Sequence, residues 1–241
     1  MNLIRRVFRG QRSKVTQAIH SDPEPTVCPY CGALLNVVPV RSRTCPHCKE
    51  FIVVRTDRAT KEKLLLTEVQ ARELDGERKK QAARNKALRA AINMGCTADD
   101  FQQMEQSLTE RLGVALPGDV FWALADQTIR EPMLQRDWHR VGVIEWSRAR
   151  WLYEEGRNHI QHLRESHAAD LKARAANSLT GKVRILTNGD AACAECRGND
   201  GTVFSIDSAL LEMPLPVEEC ENGWCQCIWS PVTYDSEALV M

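Results

Sequence analysis

The sequence predicts an α+β fold that is mostly α-helical, with a small cysteine-rich β unit towards each end and a helical domain between them. Nine of the ten cysteines lie near the two ends of the 241-residue chain, beside short apolar runs typical of strands. The middle of the chain instead carries helix-capping sequences followed by apolar residues at helical spacing. With 27% charged and 43% hydrophobic residues, the composition is that of a globular chain, not a disordered or fibrous one.

Residues 1–24 are predicted to be a basic, flexible tail. They lack the apolar core and small-residue cleavage site of a secretory signal, so we expect a cytoplasmic protein with reduced cysteines. The longest uncharged stretch, residues 25–40, is too short to cross a bilayer, and no membrane span is expected. The basic side chains of the tail are candidate nucleic-acid contacts: Arg5, Arg6, Arg9, Arg12 and Lys14.

Residues 25–58 contain two Cys-x2-Cys pairs separated by 13 residues. Such pairs in a reducing compartment supply the four thiolates of a tetrahedral zinc ion, whereas a redox pair would need a βαβ context that this segment lacks. Gly32 suits the tight turn after the first pair, and residues 34–40 and 51–55 are predicted strands. These features resemble the zinc ribbon family, which implies a structural zinc site with His47 at the surface. We call its four candidate ligands the N-terminal cluster: Cys28, Cys31, Cys45 and Cys48.

A charged helical connector is predicted over residues 59–96. A capping box at Thr67 and Gln70 predicts where its helix starts, and Gly95 predicts where it stops. Much of this helix has no large apolar side chain, so its charges are expected to form a solvated face. Cys96, the single cysteine outside both clusters, is expected to be a packed or inert thiol.

The predicted helical domain covers residues 97–178 and opens with a second capping sequence. Its first helix is predicted to end at Gly113, and its second to run from Pro117 to a stop near Pro132. From about position 136 the helical pattern continues for nearly forty residues, which predicts one long helix with a buried first half. No second copy of any segment appears, so a repeat architecture is not expected.

The last segment, residues 179–241, is predicted to be a small β unit stapled by zinc. Residues 183–186 and 202–206 are predicted to pair as strands across a turn at Asp200–Gly201. We call its five cysteines the C-terminal cluster: Cys193, Cys196, Cys220, Cys225 and Cys227. Cys225 and Cys227 would share one face of a strand. Tetrahedral zinc takes four of the five thiols, so one of Cys220, Cys225 and Cys227 is left over, and a redox-active thiol set is the alternative.

Several motifs within residues 184–232 together resemble the phage minor head, or head-morphogenesis, protein family. They are Leu186-Thr-Asn-Gly-Asp190, Cys193-x2-Cys196, Asp200-Gly201, Pro214 with Pro216, and Cys225-x-Cys227. The resemblance implies that these cysteines hold a structural metal ion. The family places His-Pro before its closing cysteines, where this chain has Cys220, and the long portion that joins the family to a portal is not evident.

Charge is distributed unevenly along a chain whose formal net charge is zero. Residues 1–96 carry a net charge of +10 and residues 97–241 carry −10. Such asymmetry marks either an electrostatic partner surface or two halves that attract each other. The expected partner is a protein, with nucleic acid as an alternative through the basic N-terminal section.

Motifs of the common enzyme classes are missing from the sequence, including Gly-rich phosphate loops, nucleophile elbows and metalloprotease helices. His159 and His162 stand at i, i+3 spacing and are expected on a solvated helix face. The sequence therefore predicts a non-catalytic zinc-binding structural or adaptor protein with two structural zinc sites, related to phage or prophage head morphogenesis. It would lie in the cytoplasm, or in the virion if it comes from a phage. The alternatives are a nucleic-acid-binding zinc ribbon protein and a thiol-redox or zinc-dependent enzyme.

Overall fold

The computed structural model of the chain describes residues 26–177 and 180–233. It is an α+β structure, about 52% helical with two small three-stranded sheets, which confirms the predicted fold class at this level. The chain divides between Arg78 and Lys79 into two compact units. Within the described ranges, no helix is both long and apolar enough to cross a membrane. The basic tail with its five candidate contacts lies outside them.

The first unit contains a three-stranded antiparallel sheet in the order β1-β2-β3. The central strand β2 (Phe51–Thr56) confirms the strand predicted at 51–55, while β1 (Arg43–Thr44) and β3 (Lys63–Leu66) flank it. β3 was not expected, because its three leucines lie in the predicted helical connector and carry no strand-specific signal.

The strand predicted at residues 34–40 is wrong. Only Leu34 makes a β-bridge there, to Val27, and the valines that follow are largely exposed, with Val40 at 74%. Pro39 has no amide hydrogen to donate to a neighbouring strand. An apolar run without a pairing partner therefore remains an irregular loop.

Helix α1 (Glu68–Asn93) has the predicted ends. The amide of Gln70 donates to the Thr67 hydroxyl at 3.2 Å, and the amide of Thr67 donates to the Gln70 side chain at 3.0 Å, which completes the capping box. Gly95 follows the helix with a φ of +89°, a conformation that glycine adopts without strain. The division between the two compact units falls inside this helix.

Helix α2 (Ala98–Leu112) begins and ends close to the predicted positions, and α3 (Pro117–Thr128) begins at the predicted Pro117. Gly113 takes the left-handed conformation that ends α2. The stop predicted near Pro132 is incorrect, because a short helix α4 (Arg130–Gln135) includes that proline. Pro132 lies in the first turn of α4, where an amide hydrogen has no helical acceptor and its loss is harmless.

The single long helix predicted from position 136 is two helices, α5 (Trp138–Glu154) and α6 (Ile160–Ala175). Gly156 turns the chain with a φ of +68°, and the Asn158 side chain accepts the amide of Ile160 at the start of α6. The two helices then pack closely on each other. A Cβ added at Gly142 would lie 3.4 Å from the Ser166 carbonyl oxygen.

The second sheet has the order β5-β4-β6. β4 (Lys182–Leu186) and β5 (Val203–Ser205) form the predicted antiparallel pair. Helix α8 (Ile206–Glu212) follows β5 directly, because Ser205 caps it by accepting the amide of Ser208 at 3.0 Å. The short helix α7 (Ala194–Gly198) lies between β4 and β5, and β6 (Ile228–Pro231) pairs with the other edge of β4.

Two hydrophobic cores are present among the described residues of the second unit. The first core is formed by helices α1, α2, α3, α5 and α6 and surrounds Phe121. The Phe121 ring stacks on Trp151 at 4.6 Å between centroids. The other joins α5 and α6 to the second sheet around the fully buried Trp229 and includes the C-terminal cluster. Residues from the predicted segments 97–178 and 179–241 therefore share one core.

His167 on α6 gives the second unit an expected sensitivity to acid. Burial lowers the pKa of His167 from 6.5 to about 4, against a smaller opposing effect of Asp170. Its Nε2 atom is buried and finds no hydrogen-bond partner among the described residues. As the pH falls below about 6.5, His167 therefore takes up a proton in the unfolded chain before it does so in the folded chain. This protonation stabilises the unfolded chain relative to the folded one.

We expect the free energy of unfolding to fall by up to about 3 kcal/mol between pH 6.5 and pH 4, in addition to other acid effects. Urea unfolding at several pH values, followed by the helical circular dichroism signal, measures this loss. His167→Gln should reduce the loss over that range. An unchanged pH profile in the variant would show that His167 is not its source.

Candidate metal centres

The N-terminal cluster is a group of four cysteine sulfurs that all lie within 4.8 Å of one another. The Sγ atoms of Cys28 and Cys48 are 3.8 Å apart, and those of Cys31 and Cys45 are 4.0 Å apart. Four bonds of about 2.3 Å to a tetrahedral zinc ion place sulfurs about 3.8 Å apart. The four cysteines predicted from the sequence are therefore brought together at the separations that a tetrahedral ion needs.

Two turns of the same kind position these sulfurs. In the first turn the amide of Gly32 donates to the Cys28 carbonyl at 2.9 Å, and in the second the amide of Lys49 donates to the Cys45 carbonyl at 3.1 Å. Both donors have positive φ angles, +69° and +65°. Gly32 was predicted for this role, whereas Lys49 carries no sequence signal for it. His47 is exposed and lies outside the sulfur group, although its backbone amide donates to the Cys45 sulfur at 3.4 Å.

Without a metal ion the four thiols of this cluster cannot all ionise easily. The backbone amide of Cys48 lowers the pKa of Cys45 to about 6, against the effect of burial. The amide of Glu50 also lowers the pKa of Cys48, but burial and the neighbouring thiols outweigh it and raise that pKa to about 12. A cation among the four sulfurs would lower the pKa of every thiol, because its positive charge stabilises all four thiolates at once.

All five sulfurs of the C-terminal cluster also come together, but in a different arrangement. Cys193, Cys196 and Cys220 form one group within 4.8 Å, and Cys196, Cys225 and Cys227 form another. Within the first group, Cys220 lies 3.8 Å from Cys193 and 3.9 Å from Cys196, measured between sulfurs. Cys220 is partly exposed, and each of the other four is at most 5% exposed.

Local structure explains how these five cysteines are held. Cys193 caps α7, and its sulfur accepts the amide of Cys196 at 3.4 Å. The Cys225 sulfur accepts the amide of Val217 at 3.4 Å. Cys227 comes directly before β6, so the strand predicted to carry Cys225 and Cys227 begins only after them, although both side chains are buried together.

A third group with metal-binding side chain types was missed by the sequence reasoning. His162 Nδ1 lies 2.6 Å from a carboxylate oxygen of Glu145, and Glu165 is close by. Arg148 already pairs with Glu145 at 2.9 Å, so we interpret this group as an ion-pair network. Burial opposes ionisation of Glu145, but the hydrogen bond from His162 and the charge of Arg148 outweigh it and keep its pKa below the usual value.

His159, expected on a solvated face, is instead 9% exposed and stacks on Trp224 at 5.2 Å between ring centroids. Cys96 is buried, and its sulfur lies 3.3 Å from the Thr128 hydroxyl, as expected for a packed residue. The spacing of the histidines alone carried no signal for either His159–Trp224 or His162–Glu145. Both contacts depend on how α6 packs against other segments of the second unit.

The fold and the two cysteine clusters define an α+β protein with two groups of thiols that can hold metal ions. The chain matches no protein-family model, no curated protein sequence and no solved structure.

Proposed function

We propose that this chain is a non-catalytic structural or adaptor protein whose two cysteine clusters bind zinc. The observation that carries the proposal is the N-terminal cluster, in which four sulfurs stand at tetrahedral separations with Cys28 and Cys45 buried. Four thiolates fill the coordination sphere of zinc and leave no open position for a substrate. A site of that kind stabilises a fold rather than catalysing a reaction.

The sulfur distances favour metal binding over a disulfide framework. All ten cysteines are free thiols, and the sulfurs of Cys28 and Cys48, like those of Cys193 and Cys220, are 3.8 Å apart, far beyond a disulfide bond of about 2.05 Å. Zinc is the preferred ion for the N-terminal cluster because it takes thiolate ligands in tetrahedral geometry and has no redox chemistry of its own.

A protein partner is supported by apolar side chains exposed on the first unit. Val37 is 72% exposed and Phe51 is 45% exposed, close in sequence to the basic residues Arg41 and Arg43. A role in phage or prophage head morphogenesis rests on the resemblance over residues 184–232 and is part of the proposal. A gene position beside portal and capsid genes would support that role.

Metal analysis of protein purified without a histidine tag tests the proposal. Native mass spectrometry should find zinc at both clusters, and Cys28→Ser/Cys31→Ser should lose one ion relative to the wild type. Cys193→Ser/Cys196→Ser should lose the metal of the C-terminal cluster. Cys96→Ser is the matched control and should keep every ion, because Cys96 lies in neither cluster. A metal-free chain with fully reduced thiols would overturn the proposal.

A further inference from the structure

The five sulfurs of the C-terminal cluster form two triangles with one shared corner. Cys193, Cys196 and Cys220 make the first triangle, and Cys196, Cys225 and Cys227 make the second. The N-terminal cluster differs, since its four sulfurs form a single group. One tetrahedral ion fits the N-terminal cluster as it stands, whereas at the C-terminal cluster it would occupy one triangle and leave two thiols of the other unused.

We propose that the C-terminal cluster binds two thiophilic d10 ions, one in each triangle, with the Cys196 thiolate bridging them. The inference rests on the proposed metal-binding function and extends it to a two-ion site. Zn²⁺ and Cu(I) are the ions of this class that protein thiolates select. Cys196 then differs from the other four cysteines, because it is a ligand of both ions.

In each triangle, a backbone amide donates a hydrogen bond to one cysteine sulfur. In the first triangle the Cys193 sulfur accepts an amide hydrogen, and in the second the Cys225 sulfur accepts one from Val217. The N-terminal cluster shows the same feature at Cys45. A thiolate benefits from such a donor more than a neutral thiol does, since the acceptor is charged. The hydrogen bond to Cys225 therefore favours its thiolate form, as the one to Cys193 does.

Charge also favours a second ion. Residues 183–241 carry a formal net charge of −8 before any thiol ionises. Five thiolates with one Zn²⁺ would add −3, and with two Zn²⁺ they would add only −1. Four of the five sulfurs are almost fully buried, where uncompensated charge is costly.

The two triangles differ in their access to water. Cys220 is partly exposed, so a water molecule can complete the coordination of an ion in the first triangle. Every cysteine of the second triangle is at most 3% exposed. The second triangle therefore suits an ion that is satisfied by three thiolates, as Cu(I) is, more than one that requires a fourth ligand from solvent.

The test counts ions on the full-length reduced chain by native mass spectrometry in two anaerobic titrations, one with Zn²⁺ and one with Cu(I). In at least one titration the wild type should bind one ion more than a Cys225→Ser variant, and Cys28→Ser/Cys31→Ser should still bind two. If Cys28→Ser/Cys31→Ser binds a single ion in both titrations, the two-ion site is overturned while the proposed function stands. If it binds none, the proposed function itself fails at this cluster.

A second measurement on the wild-type chain avoids reliance on variants that fail to fold. With ¹¹³Cd²⁺ in place of the native ions, nuclear magnetic resonance should show three cadmium signals, two of them coupled to each other through the Cys196 sulfur. Two uncoupled signals, one for each cluster, together with a single ion at this cluster in the Cu(I) titration, would overturn the bridged site.

Discussion

Replacing Cys45 with serine is expected to unfold the sheet of the first unit. Among the described residues, the hydrophobic cluster at the core of this unit has three buried members, Cys28, Cys45 and Ile52, and two of them are candidate ligands. So small a core cannot offset the conformational entropy of the ordered chain around it. If this cluster holds zinc as we propose, the ion supplies the missing stability, since zinc binding contributes about 10–16 kcal/mol in small structural sites. Losing one ligand is therefore expected to cost more than the net free energy of unfolding of the unit.

Amide hydrogen exchange followed by mass spectrometry would measure this loss. In Cys45→Ser, peptides covering β1 to β3 should lose their protection, and a zinc chelator should have the same effect on the wild type. Protection of α5 and α6 should persist, because the cores of the second unit contain large side chains such as Phe121 and Trp229. His47→Ala is the matched control within the same turn, since the hydrogen bond of His47 to the Cys45 sulfur comes from its backbone amide. A protected sheet in the chelated wild type would contradict the expectation.

Local signals account for what the sequence predicted well. The capping sequences at Thr67 and Thr97 need only neighbouring residues to form, and both do form. The two cysteine pairs of the N-terminal cluster also build their turns from nearby backbone contacts. Spacing in the sequence was sufficient to identify these features, because the contacts that make them span a few residues.

Features that depend on distant contacts could not be predicted in this way. β6 is a strand because β4 offers it an edge more than forty residues away in sequence. The break between α5 and α6 was missed for a different, local reason: it rests on Gly156, which a helical pattern tolerates in principle. The sharing of Cys196 between two sulfur groups depends on how the loop carrying Cys220 and Cys225 folds back over α7. Sequence spacing identified five thiols but not their grouping.

Replacing Arg148 with methionine is expected to lower the free energy of unfolding of the second unit by about 3–5 kcal/mol. Arg148 is 8% exposed and lies 2.9 Å from Glu145 and 2.5 Å from Asp126. Asp126 reaches water, but Glu145 is 3% exposed and would lose its arginine partner while keeping the hydrogen bond to His162. A buried carboxylate that loses its cation costs more than the methionine regains by packing.

Urea unfolding followed by circular dichroism compares this variant with Arg150→Met on the same helix. Arg150 makes an exposed pair with Glu154, so its replacement should cost no more than about 1 kcal/mol. Combining Arg148→Met with Glu145→Gln should recover about 1–3 kcal/mol of the loss, because a neutral amide is less costly to bury than an unpaired charge. Equal losses for the Arg148 and Arg150 variants would show that the buried pair is unimportant. Additive losses in the double variant would show that the unpaired carboxylate is not the cause.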